Sequence, residues 1–336
     1  RAIEAEGVER PDLGDAARRA EWSAFVASGA EGATFCHHVE WADVLADALG
    51  HEPHYLVARG GDRITAILPT IHVRSRIFGN YLLSMPFLNY GGPAGDAAAG
   101  AQLAQHAIGL ARELEVDLLE LRTRTSGLAG MSESNRKLMV WLDLPDSATA
   151  LWDDVFRSKL RGKIKRPMKE GMETRFGADQ LDAFYSVFAR NMRDLGTPVL
   201  PRRFFDLVAE RIPGAMIGAV YHQGQPVAAG FGFLHGTEFE MTWASSLRES
   251  NTMKPNMLLY WDFMQRVIEQ GGRLFIFGRA PAGSSTHDFK LGWGGYDRPL
   301  PWAQWSPGGV AARPSPDRPV FRGATAVWSR LPLAIS

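Results

Sequence analysis

The chain has one cysteine, no excess of charge of either sign and no apolar run long enough to cross a bilayer. Each scarcity removes a class of function. A lone Cys36 leaves no internal disulfide framework and no cysteine-based zinc site, and it suits a reducing compartment. Its setting, Thr-Phe-Cys-His-His, reads as core rather than as a nucleophile's. The formal net charge of zero removes bulk attraction to nucleic acid, so any polyanion contact must come from a local patch. The opening RAIEAEGVERPD has no apolar h-region, so no signal peptide is expected and a cytoplasmic location is the default. No strand leads into a glycine-rich dinucleotide fingerprint, there is no GKS or GKT phosphate loop, and no metal cluster is read from the residues.

What is present is an ordinary folded composition, 45% hydrophobic and 22% charged over 336 residues, enough for two domains. Strand and turn signals occur twice in the same order. In the first half, His54–Arg59 and Ile64–Val73 flank the turn Gly60-Gly61-Asp62. A strand over Tyr81–Tyr90, a Gly/Pro stretch at Gly91–Gly95, a helix from about Ala97 to Leu114 and a strand Val116–Arg122 follow. In the second half, Ala215–His222 and Val227–Leu234 flank Gln223-Gly224-Gln225, then come a strand Phe239–Ser245, a helix Pro255–Glu269 and a strand Arg273–Phe277. That helix has Pro255 in its first turn, Gly271 as a stop, and Met257, Trp261, Met264 and Ile268 as a buried stripe. The pattern is that of an α/β (α+β) chain with two halves, each a mixed sheet with helices packed on it. The joint is expected near Leu144-Pro145-Asp146-Ser147, giving residues 1–146 and 147–306, with a tail from 307 to 336. The tail, with Pro314, Pro316 and Pro319, reads as a surface strap without assigned function.

Two stretches carry candidate chemistry. From Arg157 to Lys169 seven of thirteen residues are basic and none is acidic. Phe156, Leu160 and Ile164 recur every four residues, so one helix face is apolar and the rest is charged, until Pro167 ends or kinks it. Arg157/Arg161/Lys165 and Lys159/Lys163 are like-charged i,i+4 pairs, which cost stability unless an anion lies nearby. The stretch reads as a site for a phosphorylated ligand or nucleic acid, the alternative being a plain solvated face. The second stretch is Leu274–Gly295, where a buried strand ends in Gly278-Arg279. It opens into a loop that carries His287-Asp288, Phe289-Lys290 and the glycine-flanked Trp293. Strand ends position mobile polar loops rigidly, and Arg279 and Lys290 supply positive charge there.

The doubled hairpin-strand-helix-strand unit, the KLRGKIKR helix and the ending FGRAPAGSSTHDFKLGWGG together resemble the FemAB family, over about residues 20 to 305. The stretch RNMRDLGTPVLP, Arg190–Pro201, is similar to the branch associated with exopolysaccharide and PEP-CTERM protein-sorting systems. The resemblance implies two tandem GNAT-like (N-acyltransferase-like) domains. Characterised members move an amino acid from aminoacyl-tRNA to the side-chain amine of a peptidoglycan precursor. By resemblance this chain is an acyl or aminoacyl transferase acting on an amine of a cell-envelope or exopolysaccharide precursor. The alternatives are an acyl-coenzyme A-dependent N-acyltransferase of polysaccharide assembly and a non-catalytic module binding RNA or an envelope enzyme.

Phe289-Lys290 match the family's pair whose lysine steadies the negative charge of acyl transfer. Lys290 and Arg279 are therefore the catalytic candidates. Phe289, Trp293, Arg157, Lys159, Arg161, Lys163, Lys165, Lys254 and Asn256 are the candidates for binding substrate. A base for the amine proton is open among Asp288, His287 and a water. No bound cofactor is expected. The donor is open between aminoacyl-tRNA and acyl-CoA. The long charged heptad insertion that some members use for tRNA is missing, and neither Ser250–Pro255 nor Gly91–Asp96 is a clean pyrophosphate turn. The expected partner is a phosphorylated or nucleotide-linked precursor. Oligomeric state is not readable from the sequence.

Overall fold

The computed structural model describes residues 7–75, 79–134 and 137–309. The tail with its three prolines lies outside the described residues, apart from its first turn. The chain divides into two compact units. One runs to Leu138 and takes up the chain again from Pro299, and the other spans Met139–Arg298.

In the first unit β1 (Val8–Glu9), α1 (Ala16–Ala27), α2 (Trp41–Leu49), β2 (Glu52–Pro53), β3 (Leu56–Gly60), β4 (Arg63–Leu68), β5 (Ile71–Ser75) and β6 (Gly79–Leu83) follow one another. Then come β7 (Ala94–Gly95), α3 (Ala97–Glu113), β8 (Leu118–Leu121) and β9 (Ser132–Ser134). The strand expected over Ile64–Val73 is two, because Pro69 lacks an N–H and the chain changes sheets there. The strand expected to reach Tyr90 stops at Leu83, and Met85 and Phe87 beyond it adopt positive φ. Among the described residues β1-β3-β4-β7 form one sheet, and β2-β5-β6-β8 and β9 form another, with β17 (Trp302–Trp305) between β8 and β9. The apolar face of α3, with Leu103, Ala107 and Leu110, packs with Leu56, Leu68, Leu82 and Leu119.

The second unit contains β10 (Leu138–Asp143), α4 (Ala148–Ala150), α5 (Ser158–Lys169), β11 (Glu173–Phe176), α6 (Leu181–Asp194) and α7 (Arg202–Arg211). It continues with β12 (Ala215–His222), β13 (Gln225–His235), β14 (Glu238–Ser246), α8 (Pro255–Glu269), β15 (Leu274–Ala280), α9 (Ser285–Leu291) and β16 (Tyr296–Pro299). The last described strand, β17 (Trp302–Trp305), pairs with β8 and β9 of the first unit. The boundaries expected at 146/147 and 306 therefore fall elsewhere. β10 belongs to the second unit's sheet, and the described residues 299–309 belong to the first unit.

The second sheet runs β11-β12-β13-β14-β15-β10-β16 and is antiparallel from β11 to β14. β14 and β15 are parallel, joined through α8 as a βαβ crossover. Alternate residues of β13 point to opposite faces. Phe231 and Phe233 meet Phe184, Phe205 and Trp243 on the α6–α7 side. Phe239 and Met241 share the opposite core with Phe263 and Met264 of α8. α6 and α7, amphipathic and rich in Phe, were not expected from the sequence as helices.

Candidate functional site

The site grows from one irregularity in the second sheet. β14 and β15 pair over only Glu238–Glu240 and Leu274–Ile276, yet both continue, to Ser246 and Ala280. β14 stays with β13 across a bulge in which Thr242 has no opposite number, between Met241 and Trp243. A bulge bends its strand and increases the local twist, which carries the end of β14 away from its neighbour. The Thr242 hydroxyl is buried without a hydrogen-bond partner. β15 meanwhile turns at Gly278, whose φ of 75° lies in the left-handed region that a side chain disfavours. Two parallel strands thus part at their C-terminal ends.

Lys290 reaches the part of β15 that lies beyond this pairing. It is expected in a loop, but Ser284–Leu291 closes into the short helix α9, capped by the Ser284 hydroxyl accepting from the His287 N–H. The helix turns Lys290 inward, leaving it 6% exposed. Its ammonium donates to the Gly278 carbonyl at 2.8 Å and to the Arg279 carbonyl at 2.9 Å. A buried ammonium is costly unless hydrogen-bonded, and the left-handed turn at Gly278 places these carbonyls within its reach. Arg279 itself is half-buried on the same strand.

The base candidates resolve differently. Asp288 is exposed, whereas His287 is buried and partnered by Asp297, which the sequence reading missed. The His287 Nδ1 accepts from the Gly283 N–H at 3.1 Å, so its Nε2 carries the proton and donates to the Asp297 carboxylate at 2.7 Å. With both ring nitrogens hydrogen-bonded, the imidazole braces the turn before α9. The Asp297 carboxylate ten residues ahead gave no local signal.

Phe289 and Trp293 build the wall behind Lys290. Trp293 is 1% exposed, with Phe156 at 5.6 Å, Tyr260 at 5.9 Å, Phe289 at 6.2 Å and Phe277 at 6.3 Å between ring centroids. It is therefore core and not a surface for substrate, a correction to its place among the binding candidates. Of the glycines beside it, Gly295 approaches Val140 and the Trp141 carbonyl so closely that a Cβ would collide. Phe289 is half-buried against Tyr260 at 5.3 Å. Burial pushes the Tyr260 phenol far up, so it stays neutral.

Through Phe156 and Trp152 the same cluster seats the basic helix. Leu160, Ile164 and Pro167 of α5 are buried as the four-residue spacing implies, and the helix continues past Pro167 to Lys169. Two of the expected anion ligands have other duties. Arg161 donates to the carbonyls of Trp152 at 2.9 Å and Asp153 at 3.3 Å, closing the short turn before α5. The Lys165 ammonium lies 5.6 Å from the Trp152 ring centroid. Arg157, Lys159 and Lys163 are exposed, as are Arg166 and Lys169. Lys254 and Asn256 are half-buried at the start of α8, with Lys254 in a left-handed conformation. In the first unit the Gly91–Asp96 turn holds its own chain. A Cβ on Gly95 would fall 2.3 Å from the Thr65 carbonyl, and the Asp96 carboxylate caps α3 through the Ala99 N–H at 2.9 Å.

Residues 155–291 match the acetyltransferase (GNAT) domain family. Over 165 residues the chain is 26% identical to the UDP-N-acetylmuramoylpentapeptide-lysine N(6)-alanyltransferase of Weissella viridescens, a match covering 47% of this chain and 48% of that one. The chain thus spans about half the length of this curated relative. Among solved structures, FemX superposes with a TM-score of 0.66 at 11% identity, covering 95% of this chain and 99% of that one. A tandem GNAT protein from the clavulanic acid biosynthesis pathway gives 0.54 at 14% identity, covering 89% and 98%. Among the described residues no helix is long and apolar enough to cross a membrane. The chain has a tandem GNAT fold like that of FemX, and the stretch that matches the acetyltransferase (GNAT) domain lies in its second unit.

Proposed function

We propose that the chain is an acyl or aminoacyl transferase that forms an amide bond on an amine of a cell-envelope or exopolysaccharide precursor. The observation that carries this reading is the buried Lys290 ammonium held by the Gly278 and Arg279 carbonyls, on the part of β15 beyond its pairing with β14. In such a reaction the amine nitrogen attacks the donor's acyl carbonyl, and its oxygen becomes an oxyanion. Collapse breaks the C–O bond of an ester or the C–S bond of a thioester. The amine's proton leaves with the alcohol or thiol. A preorganised cation at the oxyanion supplies several kcal/mol without reorganising. Arg279, one residue past the turn, adds positive charge on the same strand.

The donor reading divides on two features. The exposed Arg157, Lys159 and Lys163 favour a polyanionic partner, either aminoacyl-tRNA or a phosphorylated precursor. The unpaired inner edges of β14 and β15 favour an extended amide-bearing chain such as that of acyl-CoA, added as a strand is added to an open sheet edge. The exopolysaccharide assignment rests on Arg190–Pro201, which is tied to the end of β14. Asn191 donates to the Ser245 hydroxyl at 3.1 Å, and Arg190 pairs with Glu249 at 2.7 Å.

Mass spectrometry of purified protein incubated with amino-sugar nucleotides or a lysine-containing UDP-muramoyl peptide tests the proposal, with aminoacyl-tRNA and acyl-CoA as separate donors. One donor class should add its acyl mass to the amine. Tight binding of RNA or precursor with no covalent product from any pairing would leave a non-catalytic module and sink the proposal.

A further inference from the structure

The first unit contains a cluster that acyl transfer does not use. Glu52 of β2 faces His72 of β5 directly across an antiparallel pair. His54 lies two residues beyond Glu52, on the same side of the strand. Its N–H continues the ladder to the Thr70 carbonyl at 2.7 Å, and the Thr70 hydroxyl donates back to the His54 carbonyl. Register alone therefore brings three side chains to one face of one ladder. One nitrogen from each histidine and a Glu52 carboxylate oxygen lie within 4.8 Å of one another.

The tautomer of the neutral His72 ring is fixed by its neighbour. Both amide hydrogens of Asn80 are spent, on the Leu114 and Glu115 carbonyls at 3.0 Å each. The Asn80 oxygen is thus the atom that faces His72, and it accepts from the His72 Nε2–H at 2.6 Å. The Nδ1 of neutral His72 then bears a lone pair. This nitrogen is buried without a hydrogen-bond partner, on a side chain only 3% exposed, and sits 3.9 Å from a Glu52 oxygen. The His54 Nε2 is likewise buried without a hydrogen-bond partner, 3.4 Å from the other Glu52 oxygen. Two unpartnered ring nitrogens beside a carboxylate are costly as bare polar groups, and donor atoms this close together can serve one ion as ligands.

We infer that Glu52, His54 and His72 form a binding site for a divalent transition metal of the zinc type, bound through His54 Nε2, His72 Nδ1 and the Glu52 carboxylate. Zinc bonds of about 2.0–2.2 Å put tetrahedral ligand atoms roughly 3.3–3.6 Å apart, so the observed spacings need only small side-chain rotations to close. Two imidazoles with one carboxylate suit zinc and its neighbours, whereas calcium and magnesium take oxygen-rich sets. Asn80 does what the outer partner of a metal-bound histidine does, holding the ring and its tautomer. Glu52, 56% exposed, gives the ion a path from solvent and leaves a coordination position facing water. The two-residue strand β2 is the edge of its sheet, so the ion would clip that edge to β5.

The test uses tag-free, chelator-treated full-length protein titrated with zinc chloride at pH 7.5, followed by calorimetry and thermal unfolding. Binding should be one to one and in the micromolar range or tighter. A hundredfold excess over Kd should raise the midpoint of unfolding by about 5–10 °C. Magnesium and calcium should do neither. Glu52→Gln, at an exposed position that leaves the fold intact, and His54→Gln should each weaken zinc binding at least tenfold. Absence of saturable binding, equal binding by both variants, or an equal shift with calcium would overturn the inference. None of these readouts depends on transferase activity.

Discussion

Replacing Lys290 with Met removes the ammonium while keeping an unbranched stem of similar length, so it isolates the charge. Two charge-assisted hydrogen bonds disappear, and the Gly278 and Arg279 carbonyls lose those donors. At about 1–3 kcal/mol for each such group, the loss of stability is about 2–6 kcal/mol. For a unit of this size it should lower the unfolding midpoint by about 5–15 °C. Catalysis should suffer separately. Loss of one oxyanion-stabilising donor costs roughly a hundredfold in kcat, and KM should move much less because the interaction is strongest in the transition state. Lys290→Ala should lose a comparable factor in kcat. Lys290→Arg should restore only part of the rate, since a planar fork does not reproduce a compact ammonium pointing at two adjacent carbonyls. The assay is steady-state transfer at 25 °C, beside a melting curve that establishes the folded fraction of each variant. A Met variant that melts cooperatively above the assay temperature and turns over at the wild-type rate would refute the assignment. Such a lysine would be a structural brace for the turn at Gly278.

Neutralising the exposed basic face with Lys159→Ala, Lys163→Ala and Lys169→Ala should weaken donor or precursor binding and flatten its salt dependence. Arg161→Ala should chiefly destabilise, because its guanidinium holds the Trp152 and Asp153 carbonyls; unchanged affinity and salt slope in the triple variant would leave the face merely solvated. Burial pushes the Asp262 carboxyl up to about 6 from an ordinary 3.8, so the folded state keeps a proton that the unfolded chain has released. Stability from this group is therefore highest below about pH 4 and falls as pH rises to about 6, by at most about 3 kcal/mol. Asp262→Asn should accordingly exceed wild type in urea denaturation at pH 7.5 and match it near pH 4, and equal stability at both pH values would contradict this.

Local signals made the second unit legible. Pro255 and the stop at Gly271 bound α8 where the sequence places it, and the turn at Gln223-Gly224 fixes the β12–β13 hairpin. Long-range pairing left no local signal. Nothing in Trp302–Trp305 reveals that it joins strands about 180 residues earlier, and nothing in Leu138–Asp143 says that it enters the second sheet. The helix α9 was hidden because it is short and bordered by Gly and Ser, which read as loop. At the candidate site, Lys290 is proposed from the Phe-Lys pair, and its carbonyl partners, one of them on the left-handed Gly278, left no signal in the sequence. Arg161 and Lys165 carried the charge pattern of anion ligands, yet a nearby backbone and a Trp ring claim them, and Trp293 went inward because its glycines serve packing.

The central claim is that Lys290 meets the acyl carbonyl where β14 and β15 part. A structure of the protein with a non-reactive donor analogue tests it most directly, using either a thioether of acyl-CoA or an amide-linked aminoacyl RNA. The expected result is the analogue's carbonyl oxygen at about 2.7–3.1 Å from Lys290 Nζ, with its chain running between the separated strand ends. A donor bound elsewhere, with Lys290 still on the Gly278 and Arg279 carbonyls and away from the donor's carbonyl, would contradict the account.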